Sequence, residues 1–154
     1  VAVSDADEAK RVFEVEEVKR SWGTASAPRR DVDNKFEVQG QVVVDHATGL
    51  TWQQSGSAED MSYQQAQEYI QQLNRERFGG YSDWRLPTVN ELLSLMEPKE
   101  NSDGLYIDPV FDKRQWWCWS SDKRSSESAW GVYFNLGDAG LLVGSYVRCV
   151  RSGY

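Results

Sequence analysis

Trp84-Arg85-Leu86-Pro87-Thr88-Val89-Asn90-Glu91-Leu92-Leu93 carries the chain from an extended link into a helix, and that switch decides the fold class. Pro87 disfavours helical backbone at Leu86, because its ring crowds the residue before it. Thr88 and Glu91 then stand at capping-box spacing. A cap hydroxyl accepts from the amide three residues on, and that residue's carboxylate reaches back to the cap amide. Leu92, Leu93, Leu95 and Met96 supply the apolar side, so a short helix is expected to open at Val89.

Before this stretch, Ala66, Tyr69, Ile70 and Leu73 fall at helical spacing within Tyr63–Phe78. Ser62 is placed to cap that helix and Gly79-Gly80 to stop it. Earlier still, Phe36, Val38, Val42 and Val44 form a short β-rich run around Gly40. Asp45 to Gly49 reads as a turn and Leu50 to Gln54 as a returning strand, which makes a hairpin. Asp7 to Trp22 reads as a charged helix or edge strand, and Thr24 to Asp33 as a loop.

After it, Glu97 to Asp112 is punctuated by Pro98, Asn101, Gly104 and Pro109 and is expected to be a long irregular loop. Three β-segments follow: Trp116 to Ser121, Ala129 to Asn135 and Ser145 to Arg151, with Gly137 and Gly140 marking a tight turn. In the second of them Trp130, Val132 and Phe134 alternate with Gly131, Tyr133 and Asn135. The period of two sends the first set into a core and the second set outward. Two helices set among antiparallel strands give an α+β fold, with residues 1–34 as an extension and 35–154 as the domain.

Composition narrows the function. The chain has 154 residues, 40% hydrophobic and 27% charged, enough for one packed domain. No run of about 18 apolar residues is present, so no membrane insertion is expected. Val1 to Asp7 shows no basic, apolar leader. The net charge is −7, the wrong sign for a nucleic-acid partner. The charge is uneven: 11 basic against 20 acidic residues to position 108, then six against four beyond it. A single histidine, His46, leaves little material for zinc or triad chemistry, and no paired-carboxylate or phosphate-loop spacing occurs. Cys118 and Cys149 suit either one disulfide or two buried thiols. Their placement on two β-blocks gives the expectation of a Cys118–Cys149 bridge, since neighbouring strands can bring Cα atoms within about 6 Å.

Five blocks in order carry a resemblance: Val44-Asp45 with Thr48-Gly49-Leu50 and Trp52; Trp84 to Thr88 with Glu91-Leu92; Trp119-Ser120-Ser121; Ala129-Trp130 with Val132 and Phe134; and Tyr146 to Arg151. Over roughly residues 35–152 the chain resembles the bacterial domain family named for the C-terminal domain of the Legionella collagen-like adhesin. The resemblance implies a C-type-lectin-like fold with two helices and a twisted antiparallel sheet. It also implies an adhesive or recognition role at the cell surface or after secretion, and a homotrimer. Related proteins are hypervariable binders diversified by retroelements, with variable residues between the Trp-Ser-Ser block and the last strand.

That interval supplies the candidate ligand-binding residues: Trp117, Asp122, Arg124, Gly131, Tyr133, Asn135 and Asp138. The partner is a glycan or a protein. Trp116 and Trp117 lack a structural role in the blocks, and Lys113, Arg114, Lys123, Arg124, Arg148 and Arg151 are candidates for an anion site. Calcium-assisted sugar binding is not expected, because Glu97-Pro98-Lys99 puts a lysine where a ligating amide belongs; Asp103, Asp108 and Asp112 leave room only for a weak structural ion. No metal, cofactor or catalytic residue is expected. The rival readings are a sensory or regulatory domain of a larger protein and a relative of the formylglycine-generating oxidases. The oxidase chemistry needs two closely spaced reactive cysteines, and neither Cys118 nor Cys149 has a local histidine to activate it.

Overall fold

The computed structural model describes residues 33–153. The helix or edge strand expected between Asp7 and Trp22 lies outside the described residues. Strands β1 (Phe36–Gln39), β2 (Val42–Asp45) and β3 (Leu50–Gln53) form an antiparallel meander. The run around Gly40 is thus itself a hairpin, because Gly40 at φ +64° turns the chain back on itself. Helices α1 (Tyr63–Arg75) and α2 (Val89–Leu93) follow, then β4 (Trp117–Lys123), β5 (Ala129–Tyr133), β6 (Asp138–Leu142) and β7 (Val150–Ser152). The expected α+β fold is present, with its strands divided between two antiparallel sheets, β1-β2-β3-β7 and β4-β5-β6.

Both capping boxes form. Ser62 Oγ accepts from the Gln65 amide and Gln65 Oε1 accepts from the Ser62 amide, at 3.2 and 2.9 Å. Thr88 and Glu91 do the same at 3.1 and 2.9 Å, and Arg85 grips the Glu91 carboxylate with both terminal nitrogens. α1 ends at Arg75 and not at Phe78. Arg77, at φ +54°, takes the left-handed turn, and the Asn74 side chain bonds both the amide and the carbonyl of Trp84, drawing the departing chain back along the helix end.

Two apolar clusters lie on the two faces of the β4-β5-β6 sheet. One joins Trp130, Val132, Phe134 and Cys118 to Trp52, Val43 and Val150 of the first sheet and to Leu92 and Leu93 of α2. The other joins Trp119, Ala129 and Leu142 to Tyr63, Ala66, Ile70 and Leu73 of α1. Trp130, Val132 and Phe134 are buried, as their alternation predicts.

β6 is a strand the residue pattern does not announce, and Gly140 sits within it instead of in the turn before it, where only Gly137 has positive φ. Of Ser145 to Arg151, only Val150 and Arg151 belong to a strand, β7. Single bridges Met61–Ser145 and Cys118–Tyr146 hold the rest, because this stretch passes between the two sheets without joining either ladder. Exposed large apolar residues gather at the sheet edges. Val38 lies on β1, while Leu136 and Val143, 65% and 78% exposed, stand on either side of β6.

Candidate functional site

The β4–β5 ladder sets Trp117 opposite Tyr133, and the β5–β6 ladder sets Tyr133 opposite Asp138. All three side chains therefore rise from one face of the sheet. α1 covers the far part of that face, at Trp119, Ala129 and Leu142, and leaves Trp117 and Tyr133 half-buried. The two rings stack at 5.9 Å with 25° between planes, and Trp116 stacks on Trp117 at 5.1 Å and 15°. Tyr146 meets Trp117 edge-on at 6.4 Å. These centroid separations exceed the ring thickness of about 3.5 Å, so the rings are displaced sideways as in a staircase and leave part of each face uncovered. A Cβ on Gly140 would lie 3.3 Å from the Tyr133 ring, so the absent side chain lets Tyr133 settle over β6.

The seven predicted residues separate accordingly. Trp117 and Tyr133 are brought together, Asp138 is in register with them, and Asn135 is exposed in the β5–β6 turn next to them. Asp138 also accepts from the Ala139 amide at 2.8 Å. Gly131 is a correction. It is buried, and a Cβ there would fall 2.2 Å from Leu142 Cδ1 and 2.4 Å from the Cys118 carbonyl, so the outward side of β5 is a second packed core at that point. Asp122 is a second correction: its carboxylate accepts from the Val89 amide at 2.8 Å and so serves the first turn of α2. Arg124 belongs to the β4–β5 turn, where its amide bonds the Ser128 carbonyl. That turn is at the other end of β5 from Tyr133, about 13 Å away along the strand.

The six cations do not converge on an anion site. Arg151 pairs with Asp83 at 2.7 Å and lies on the Tyr81 ring; Lys113 faces Asp103 at 3.7 Å; Lys123 lies over Tyr63. Arg148 is wholly buried. It donates to the carbonyls of Gln53, Gln54 and Asp112 and to Gln115 Oε1, with its guanidinium 4.9 Å from the Phe111 ring. The sequence signal for this was its neighbourhood, since Val147, Cys149 and Val150 around it are all apolar and buried.

The expected Cys118–Cys149 bridge is absent. Both are free, buried thiols, and Cys118 Sγ donates to the Gln115 carbonyl at 3.4 Å. Desolvation pushes the Cys118 thiol up to about 11 and raises Cys149 further. A thiol held protonated in this way is a poor nucleophile. Two carboxylates of the 97–112 loop serve the fold: Asp108 accepts from the Val110 amide, and Asp112 from Ser55 Oγ and the Arg114 amide. Among the described residues no three His, Cys, Asp or Glu side chains gather as a metal site, and no helix is long and apolar enough to cross a membrane. A shallow, open depression lies beside this loop, lined by Glu97, Lys99, Asn101, Ile107 and Asp108.

Among curated proteins, none matches the chain. The family model of the Lcl C-terminal domain matches residues 41–151, a span that includes both sheets from β2 onward, both helices and the aromatic staircase. The chain therefore belongs to the Lcl C-terminal domain family, which is associated with an adhesin.

Proposed function

We propose that this domain is a noncatalytic, C-type-lectin-like recognition module that binds a glycan or protein ligand on the face built from Trp117, Tyr133 and Tyr146, with Trp116 stacked on Trp117 at its rim. The observation that carries the reading is the aromatic staircase itself. Trp117, Tyr133 and Tyr146 from three separate segments meet on a part of the sheet that α1 leaves half-buried, and Trp116, which packs against the cluster on the other face, stacks on Trp117 at the sheet's end. Large, rigid aromatic groups with polar neighbours are the usual anchors of a binding surface. Asn135, exposed in the turn, and Asp138, in register with Tyr133, provide those neighbours. A retroelement-diversified surface would vary such exposed turn positions as Asn135.

The chain's path supports display. Lys35 and Gly153 lie at one end of the first sheet, where the Lys35 amide bonds Asp45 and the Gly153 amide bonds the Gly49 carbonyl. Gln53 and Gln54, at the other end of β3, bond Arg148, and the staircase follows directly from Gln115 beside it. The noncatalytic reading is supported by the two buried, protonated thiols and by the use of the Asp108 and Asp112 carboxylates in the fold.

The test is a glycan and protein array probed with the full chain, followed by the variant Trp117→Ala/Tyr133→Ala. Affinity for the captured ligand is expected to fall at least about tenfold, equivalent to about 1.4 kcal/mol or more. Undiminished binding by the folded double variant would move the site away from this face, with the depression beside Ile107 the next place to look.

A further inference from the structure

We propose that Arg148 is the positioning residue of the recognition face, holding the Trp116–Trp117 pair and Tyr146 in register with one another from inside the protein. The proposal rests on the recognition reading above and assigns a role to a residue that never reaches that surface.

Arg148 has no exposed surface, and none of its acceptors is a carboxylate. The nearby Asp112 presents its backbone carbonyl to Arg148, at 2.9 Å, and its carboxylate to Ser55 and Arg114. A buried cation without a carboxylate partner is a costly way to fill space, and apolar residues of similar volume commonly serve stability as well or better. A planar guanidinium does offer several donors in a fixed fork. Here the fork joins two distant chain segments, 53–54 and 112–115. Nη1 takes the end of β3 at Gln53 and Gln54, and Nη2 takes the end of the long loop at Asp112 together with the Gln115 side chain at 3.2 Å.

Gln115 is the link to the surface. It is buried, with its Oε1 held by Arg148 and its Nε2 donating to the Ser57 carbonyl at 2.7 Å, so its side chain is fixed at both polar atoms. Trp116 and Trp117 follow it in the chain. Tyr146 lies two residues before Arg148, and its carbonyl accepts from the Trp119 amide at 3.0 Å. The side chain of Arg148 therefore sets one side of the staircase, through Gln115, and its backbone sets the other, through Tyr146. Tyr133 is placed separately by the β5–β6 ladder and Gly140. Lysine is a poor substitute, because a single ammonium nitrogen does not reach four acceptors spread across both sides of the fork.

The experiment reads ring geometry and needs no ligand. Two stacked indoles couple their transitions and give a circular-dichroism couplet, which Trp116→Phe in the full chain removes and so calibrates. Gln115→Ala removes the Arg148–Gln115 bond and the Gln115–Ser57 bond and leaves the three backbone carbonyls bonded to Arg148. It is expected to unfold cooperatively in urea like the parent while its couplet loses most of its amplitude. Arg148→Lys is expected to lose the couplet too. If Arg148→Lys fails to fold, Gln115→Ala alone decides. A folded Gln115→Ala protein with the parental couplet overturns the proposal. So does a couplet that disappears only along the unfolding transition, since that is the behaviour of a purely structural bond. Binding by the Trp117→Ala/Tyr133→Ala variant tests the recognition reading separately, so the two can fail independently.

Discussion

Gly131→Ala tests whether the outward side of β5 is solvent or core. Alternation along Ala129–Tyr133 places residue 131 on the side away from Trp130 and Val132, where alanine should be harmless. The packed structure places its Cβ 2.2 Å from Leu142 Cδ1 and 2.4 Å from the Cys118 carbonyl oxygen. Leu142 can rotate part of the way, but the carbonyl belongs to β4, which is hydrogen-bonded to β5, so relief requires the two strands to shift. Overpacking of this kind costs about 1–3 kcal/mol, and a backbone neighbour puts the cost in the upper half of that range. Reduced freedom of the unfolded chain returns about 0.4–1 kcal/mol. The net loss is about 2 kcal/mol, or a melting temperature lower by about 4–8 °C for a domain of this size. Urea unfolding should show a lower midpoint with an unchanged slope. The control is Gly140→Ala at the cross-strand partner. Its Cβ would meet only the Tyr133 ring, at 3.3 Å, and the expected cost is below about 1 kcal/mol. Equal midpoints for Gly131→Ala and the parent would refute the second core on that face.

Trp130 is 9% exposed, and its indole N–H is buried without an acceptor. Trp130→Ala should cost about 3–5 kcal/mol. Trp130→Phe should cost only about 1–2 kcal/mol in the same urea titration, because removing the unpaired donor offsets part of the lost packing. Cys118 and Cys149 should both be silent to a thiol reagent at pH 8 in the native protein, since burial pushes Cys118 up to about 11 and Cys149 higher. Both should react after denaturation without reductant; detection of a single 118–149 disulfide by mass would contradict the free thiols of the structure.

What the sequence makes legible here is local. Ser62 with Gln65 and Thr88 with Glu91 satisfy their caps within one turn, so four residues suffice to identify each helix start. The inward set Trp130, Val132 and Phe134 is legible for a similar reason, since period two needs no knowledge of the partner. The same period says nothing about whether the opposite side meets water, and α1 covers half of it, so Gly131 and Tyr133 look equivalent in sequence and differ in the fold. β6, Asp-Ala-Gly-Leu-Leu, contains no β-branched residue and exists through its pairing with β5. In the candidate site, Tyr133 was readable from its strand alternation and Trp117 from its lack of a role in the family blocks, whereas Asn135 is exposed because it lies in the β5–β6 turn and not on the strand. The partners of Asp122 and Arg148 were not readable, because they are 33 and up to 95 residues away in the chain, and only the burial of Arg148 is signalled by its apolar neighbours.

Val38, Leu136 and Val143 have a consequence for the protein in concentrated solution. All three stand on or beside strands that terminate a sheet, β1 and β6, where backbone groups can pair with another chain. Most proteins guard such borders with charge or proline. β6 has one guard, Asp138, whose carboxylate already occupies the Ala139 amide and so removes one donor that a neighbouring molecule could use. Past Gly140 the border is Leu141, Leu142 and Val143, with no charged residue among them. Colloidal behaviour should therefore depend on this one strip more than on the acidic surface as a whole. A lysine at position 143 would supply the missing guard at a place where the side chain packs against little else.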